Sequence, residues 1–219
     1  MAAVGALLFD FGGVFLLTPF ELLRQGEQAM GLAAGTLPWT GPFDPDADPL
    51  WQRWERGEIT ERQYWAMRAS EVGALIDRPG FDTVDLMGVL YATPHPGELV
   101  RPEGLELVKR ARADGRVVAL LTNDLHAFHD DEWVSRMTIL EQFDPLIDLS
   151  RGSVLKPDPR AFRSAIDRLG LPAQEVLFID DLRSNIAGAD DVGLATQWFD
   201  VTRPRESFAT VAARVGLLD

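Results

Sequence analysis

The sequence predicts an α/β protein: a doubly wound parallel sheet into which an all-helical segment has been inserted. Three observations predict it. Five short apolar runs recur along the 219 residues. Unbroken apolarity over four to six residues marks strands covered on both faces, as parallel strands are. Amphipathic helical patterns alternate with those runs over the second half of the chain, which is the signature of βα units. Residues 16–95 break the alternation and carry helix signals only.

The first run, "VGALLFDF" (4–11), lies in an apolar start, "MAAVGALLFDFGGVFLL". That start lacks the basic residues of a secretory leader and has Asp10 in its middle, so it reads as a buried strand. Thr18-Pro19-Phe20-Glu21 then has the form of a capping box with proline at the first helical position. Proline and glycine cluster at 35–49. Thr60 and Gln63 form a second capping box, with Ile59 and Tyr64 placed as a hydrophobic staple. A third helix starts at Asp82 or Thr83 and runs to about Tyr91, and proline and glycine return at 93–97. Trp39, Trp51, Trp54 and Trp65 all fall in this insert, where they fill a small core or line a pocket. Asp44, Asp46 and Asp48 have the spacing of a calcium loop. The prolines and the missing glycine and distal glutamate assign them to a solvated loop instead.

The sheet resumes near Pro96. "PEGLELVKRARADG" is an amphipathic helix stopped by Gly115, and "VVALLT" (117–122) and "PLIDLS" (145–150) are the next strands. "DPRAFRSAIDRLG" opens with Asp158 as N-cap and Pro159 at the first helical position, and stops at Gly170. "VLFIDD" (176–181) and "LATQWF" (194–199) complete the set. The expected division is a core of residues 1–15 and 96–219, with residues 16–95 as the helical insert.

Composition bounds the function. A net charge of -13 and a pI near 4.6 repel nucleic acid and anionic membranes, so neither is expected as a partner. An anionic substrate needs a local cation. With no cysteine there are no disulfides, thiolate nucleophiles or Cys-bound zinc. That suits a reducing compartment, and a cytoplasmic location is expected. No apolar stretch approaches the roughly 18 residues of a membrane span.

In an open parallel sheet, ligands bind beyond the carboxyl ends of the strands. Asp10 follows "ALLF", Thr122 and Asn123 follow "VVALL", and Asp180 and Asp181 follow "VLFI". Lys156 lies in "SVLKPDP", just past the third run. Any one of these is most often a cap, a turn or a solvated side chain. Together they converge on one rim. Lys156 is also one of two lysines among 19 arginines, which suits a compact point charge.

In these four stretches the chain resembles the haloacid-dehalogenase-like (HAD) superfamily, in the subgroup with a helical cap after the first strand. The family's D-x-D-x-T/V motif corresponds to "LLFDFGGV", its Thr/Ser strand end to "VVALLTN", its lysine to "LKPDP", and its acidic pair to "FIDDLRSNIAGA". The resemblance implies a Rossmann-like core and a Mg²⁺-dependent hydrolase, most simply a phosphatase of a small phosphorylated metabolite. It implies Asp10 as a nucleophile that forms an aspartyl-phosphate. It implies Thr122, the Asn123 amide and Lys156 as ligands of the phosphoryl oxygens. Mg²⁺ would be held by Asp10, the Gly12 carbonyl, Asp180 and Asp181, with Asn185 orienting the acidic pair. A carboxylate is a weak nucleophile and repels an anionic ester, so positive charge on the reacting oxygens is required.

Gly12 departs from the pattern. Family phosphatases carry an aspartate there, which protonates the leaving group and then activates water. Gly12 keeps the carbonyl and loses the acid–base. Asp124, His126 and His129 follow the second strand and include imidazoles that could supply the proton, although a solvated helix start is the plainer reading. His95, in the return linker, is weaker still. Two alternatives follow from Gly12: carbon–halogen hydrolysis through Asp10, as in 2-haloacid dehalogenases, or a non-catalytic binding protein on the same fold. The dehalogenase branch also lacks the second aspartate, but it usually carries serine and asparagine where this chain has Asp180-Asp181.

Overall fold

In the computed structural model, which describes residues 3–218, the strands and helices follow in this order: β1 (Ala6–Phe9), α1 (Leu23–Ala29), α2 (Pro49–Glu55), α3 (Glu61–Leu75), α4 (Thr83–Leu90), α5 (Pro102–Ala113), β2 (Val117–Thr122), α6 (Leu125–Phe128), α7 (Asp131–Arg136), β3 (Leu146–Asp148), α8 (Pro159–Leu169), β4 (Val176–Asp180), α9 (Arg183–Asp190), β5 (Ala195–Trp198) and α10 (Pro204–Arg214). Each of the five apolar runs supplies one strand. All strands are parallel, in the order β3-β2-β1-β4-β5. Strand order therefore reverses between β1 and β4, which places the switch-point crevice at their carboxyl ends.

The alternating faces of β1 explain the two layers. Ala6 and Leu8 face a core shared with Ala119, Leu121, Phe162, Phe178 and Ala189, drawing on α8 and α9. On the other side, Phe9 packs edge-on against Phe15, and Phe15 meets Phe143 and Phe208. Gly104 in α5 allows that helix to approach, since a Cβ there would lie 2.7 Å from the Phe15 ring. Asp158 caps α8 through the Arg160 amide, and Gly170 ends it with φ +64°, as its sequence signals require.

Two compact units emerge: residues 1–17, 95–127 and 131–219 carry the sheet, and residues 18–94 with 128–130 form the helical unit. In the helical unit the Thr60/Gln63 and Asp82/Asp85 capping boxes both close. The Thr18–Glu21 box also forms its hydrogen bonds, but around a turn; the α-helix begins only at Leu23. Trp39, Trp51 and Trp65 are buried, and Trp51 packs on Trp54 at 4.6 Å. The solvated-loop reading fails for Asp48. It is 1% exposed, caps α2 through the Trp51 amide, accepts from the Tyr64 hydroxyl and pairs with the buried Arg68. Acidic spacing alone does not report this, because the partner Arg68 lies 20 residues on.

Candidate active site

The site grows from strand ends. β1 and β4 are wholly apolar until their last positions, so the first acid after each emerges at the same edge of the sheet. Backbone pairing fixes them there: the Asp10 amide donates to the Ile179 carbonyl at 2.8 Å. Asp10, Asp180 and Asp181 present carboxylate oxygens within 4.8 Å of one another.

Lys156 enters this cluster from the loop before α8. Its ammonium donates to Asp10 Oδ1 at 2.8 Å and to Asp180 Oδ2 at 2.7 Å, and lies 5.4 Å from the Phe178 ring centroid. The lysine is 5% exposed. Two devices hold it. The Asn123 side chain forms a two-way clamp on its backbone, donating to the Lys156 carbonyl at 3.0 Å and accepting from its amide at 2.8 Å. Gly188 lets α9 press on the same loop, since a Cβ there would lie 2.5 Å from the Pro157 carbonyl oxygen. Thr122, buried at the end of β2, has no side-chain hydrogen bond among the described residues, so its hydroxyl is available to a ligand.

Asp180 is fully buried and its oxygens are well occupied: besides Lys156 it accepts from the Leu182 amide and from Asn185 Nδ2 at 3.1 and 3.0 Å. Asn185 thus orients Asp180, the acid of the pair to which it bonds. Asp181 is held through its backbone, its carbonyl accepting from the Trp198 indole at 2.8 Å.

Electrostatics match the geometry. Burial pushes the Asp10 carboxyl up to about 7, with Asp180 adding to the rise and Lys156 opposing it. Burial and repulsion from Asp180 and Asp10 hold Asp181 well above the usual carboxylate range. Burial works to lower the Lys156 pKa, but the Asp10 and Asp180 carboxylates outweigh it and leave the ammonium more firmly charged than usual. Three carboxylates, Asp180 fully buried and Asp10 and Asp181 partly so, against one ammonium leave a surplus of negative charge. An all-oxygen donor set with that surplus fits a hard divalent cation such as Mg²⁺.

Position 12 is open. Its φ lies outside the left-handed region, and a Cβ built there meets nothing within 4 Å. The Gly12 carbonyl accepts from the Val14 amide at 2.7 Å in the turn after β1 and keeps one lone pair. Gly13 is the constrained glycine: φ is +69°, and a Cβ would sit 2.5 Å from Asp181 Oδ2. Arg101, buried before α5, fixes this turn by donating Nε–H to the Gly13 carbonyl at 3.2 Å and its amide to the Phe15 carbonyl at 2.8 Å. Sequence reasoning missed Gly13, Arg101 and Trp198. The doubled glycine was a readable signal; the other two act at long sequence range and left none.

The histidines after β2 are not solvated. His126 Nδ1 lies 2.5 Å from Asp148 Oδ2, with Nε2 3.5 Å from Asp131. Asp148 pairs in register with Thr122 and also accepts from the Ser150 amide and hydroxyl. His129 is buried edge-on against Tyr91. With both ring nitrogens of His126 facing carboxylates, that imidazole is spent on its own cluster. Among the described residues no helix is long and apolar enough to cross a membrane.

Residues 5–193 match the family model for haloacid dehalogenase-like hydrolases. Among curated proteins, the chain is 36% identical over 204 residues to bifunctional epoxide hydrolase 2 of Rattus norvegicus, covering 89% of this chain. It is 28% identical over 214 residues to acyl-CoA dehydrogenase family member 10 of Mus musculus, covering 96% of this chain. It spans only 36% and 19% of those two proteins. Shorter matches fall on phosphatases and on haloacid dehalogenases alike. A solved structure described as a predicted HAD-like family hydrolase from Porphyromonas gingivalis superposes with TM-score 0.58 at 22% identity, covering 100% of both chains, which is a likeness of fold.

Proposed function

The chain belongs to the haloacid dehalogenase-like hydrolase family, and from that premise we propose that it is a Mg²⁺-dependent phosphatase of a small phosphorylated metabolite, acting through Asp10. The carrying observation is the convergence of Asp10, Asp180 and Asp181 around the Lys156 ammonium. Asp10 attacks phosphorus, the bond to the ester oxygen breaks, and water then cleaves the aspartyl-phosphate to regenerate the carboxylate. Lys156 stays charged throughout and offsets the repulsion between Asp10 and the incoming phosphoryl oxygens. Thr122 and the Asn123 amide hold those oxygens, and the Asn123 side chain keeps Lys156 in place. Mg²⁺ would be held by Asp10, Asp181, Asp180 and the Gly12 carbonyl, and would supply the positive charge that three carboxylates and a phosphate require.

Gly12 narrows the substrate class. Without an acid at position 12, esters whose leaving group departs as an anion are favoured: acyl and aryl phosphates over alkyl phosphates. Carbon–halogen hydrolysis is the second reading, favoured by Gly12 alone. It needs no cation, and a surplus of carboxylates opposes departure of a halide, so the acidic cluster weighs against it.

One comparison decides. Phosphate release from an aryl phosphate is measured with Mg²⁺ and with chelator, beside chloride release from a 2-chloro acid, for the wild type and Asp10→Asn. The expected outcome is Mg²⁺-dependent phosphate release abolished by Asp10→Asn. Halide release indifferent to chelator establishes the dehalogenase, and no turnover of either substrate points to a binding protein.

A further inference from the structure

We propose that Arg183 is a specificity-determining residue that holds a second anionic group of the substrate, a carboxylate or a second phosphate; the inference rests on the phosphatase reading above. Arg183 is exposed and opens α9, two residues beyond Asp181. Its guanidinium lies over the Trp198 ring, 3.8 Å from the centroid. Trp198 ends β5, pairs in register with Asp180, and donates its indole N–H to the Asp181 carbonyl. The guanidinium is therefore fixed, through a single aromatic ring, to the backbone that carries the acidic pair.

Its lack of a partner is the second observation. In a chain of 34 acidic residues, Arg151, Arg160, Arg203 and Arg205 each pair with a carboxylate, while Arg24, Arg136 and Arg168 show no ion pair among the described residues but lie on α1, α7 and α8 rather than on the helix that follows the acidic pair. Arg183 pairs with none among the described residues. Helix stability does not explain it, because a cation in the first turn opposes the helix dipole and no acidic residue there offsets it. Stacking on Trp198 occupies one face of the guanidinium and leaves its N–H edge unused, in the fork that matches a carboxylate or phosphate bidentately. Lys156, by contrast, is already shared between Asp10 and Asp180. A substrate with two anionic groups needs a second cation at this rim, and Arg183 is an unpaired one beside Asp181.

The test separates binding from turnover. Titration calorimetry on Asp10→Asn compares ethyl phosphate with alkyl phosphates bearing a terminal carboxylate or a terminal phosphate, over several tether lengths. The expected result is at least tenfold tighter binding of one doubly anionic series, a preference that Arg183→Gln on the same background erases and Arg183→Lys only partly restores. The series that gains identifies the second group. In parallel, wild type and Arg183→Gln are assayed on phenyl phosphate and its carboxyphenyl analogue, where KM for the carboxylated ester is expected to rise at least tenfold more than KM for phenyl phosphate. Turnover of phenyl phosphate by the wild type with no such differential overturns this inference alone. No phosphate release from any ester overturns the phosphatase reading and the inference together.

Discussion

On the phosphatase reading, replacing Gly12 by aspartate should add a general acid beside Asp10, Lys156 and the acidic pair. Three features of the structure set the size of the effect. A Cβ at position 12 meets no atom within 4 Å, so the first carbon of a side chain enters open space. The backbone is outside the left-handed region, so there is no strain term of the kind that a side chain at Gly13 would carry. The new carboxyl stands two residues from Asp10, beside a cluster with surplus negative charge, and that charge pushes it toward its protonated, donating form. A positioned acid is worth roughly 100- to 10,000-fold in rate, or about 2.7 to 5.4 kcal/mol of barrier. An alkyl phosphate, whose alkoxide leaves poorly, should gain most of that. An aryl phosphate, whose phenolate leaves unaided, should gain less than about tenfold. The assay is kcat/KM for an alkyl and an aryl phosphate at saturating Mg²⁺, with Gly12→Ala as the control for filling the space. The alkyl-to-aryl ratio should rise at least about tenfold in Gly12→Asp and stay put in Gly12→Ala. A folded, Mg²⁺-binding Gly12→Asp with an unchanged ratio refutes the reasoning, because leaving-group protonation then does not limit the rate.

Other consequences follow from the same geometry. Because Mg²⁺ must displace protons from Asp10 and Asp181, its affinity should fall below pH 7, by up to about tenfold per pH unit for each proton displaced, as calorimetry at pH 6 and 8 would read. The sign for stability is opposite in the metal-free protein. A carboxyl raised above its unfolded value penalises the fold above that value, so this contribution should stabilise the apo protein as pH falls from about 7 toward 4, and Mg²⁺ should cancel the trend in thermal melts. Lys156→Met strands the fully buried Asp180 and the partly buried Asp10 and should cost about 3 kcal/mol in urea unfolding at pH 8, and less at pH 6, where Asp10 takes a proton. Gly13→Ala forces a side chain into the left-handed region and against Asp181, so it should lose about 1–2 kcal/mol of stability and weaken Mg²⁺ binding in the same calorimetric titration, whereas Gly12→Ala should do neither.

Legibility in the sequence followed interaction range. β1, β2 and β4 could be read because each is a contiguous apolar run buried along almost its whole length, whereas the edge strands β3 and β5 are only partly buried and were legible from Leu146-Ile147 and Trp198-Phe199 alone. Capping at Thr60, Asp82 and Asp158 could be read because a cap and the amide that donates to it lie within three residues. At Thr18 the same local chemistry formed but did not fix where the helix starts, since α1 is set by burial of Gly26 and Glu27 against the rest of its unit. The rim residues Asp10, Asn123, Lys156, Asp180 and Asp181 could be listed because parallel strands bring their carboxyl ends together. How they bond could not. The Asn123 clamp spans 33 residues and the Arg101–Gly13 contact 88, and neither leaves a pattern in a single chain. Asp48 and His126 were misread as solvated for the same reason: their partners, Arg68 and Asp148, are distant in sequence.

Charge, more than any single side chain, discriminates between the reactions open to this fold. A carboxylate that attacks carbon and expels halide works best with few negative neighbours, because negative charge grows on the departing atom. Here Asp10 is flanked by two further acids, at and just past the end of the adjoining strand β4, and Asp181 is raised well above its usual range by burial first and then by that crowding. Such a cluster opposes its own folding unless something positive joins it, and Lys156 answers only part of the surplus. On the proposed reading, a divalent cation would relieve the remainder and prepare the site for a dianionic phosphate. The left-handed turn at Gly13, the buried Arg101 that fixes it and the indole contact to Asp181 are then explicable together, as the framework that keeps mutually repelling oxygens close to one another.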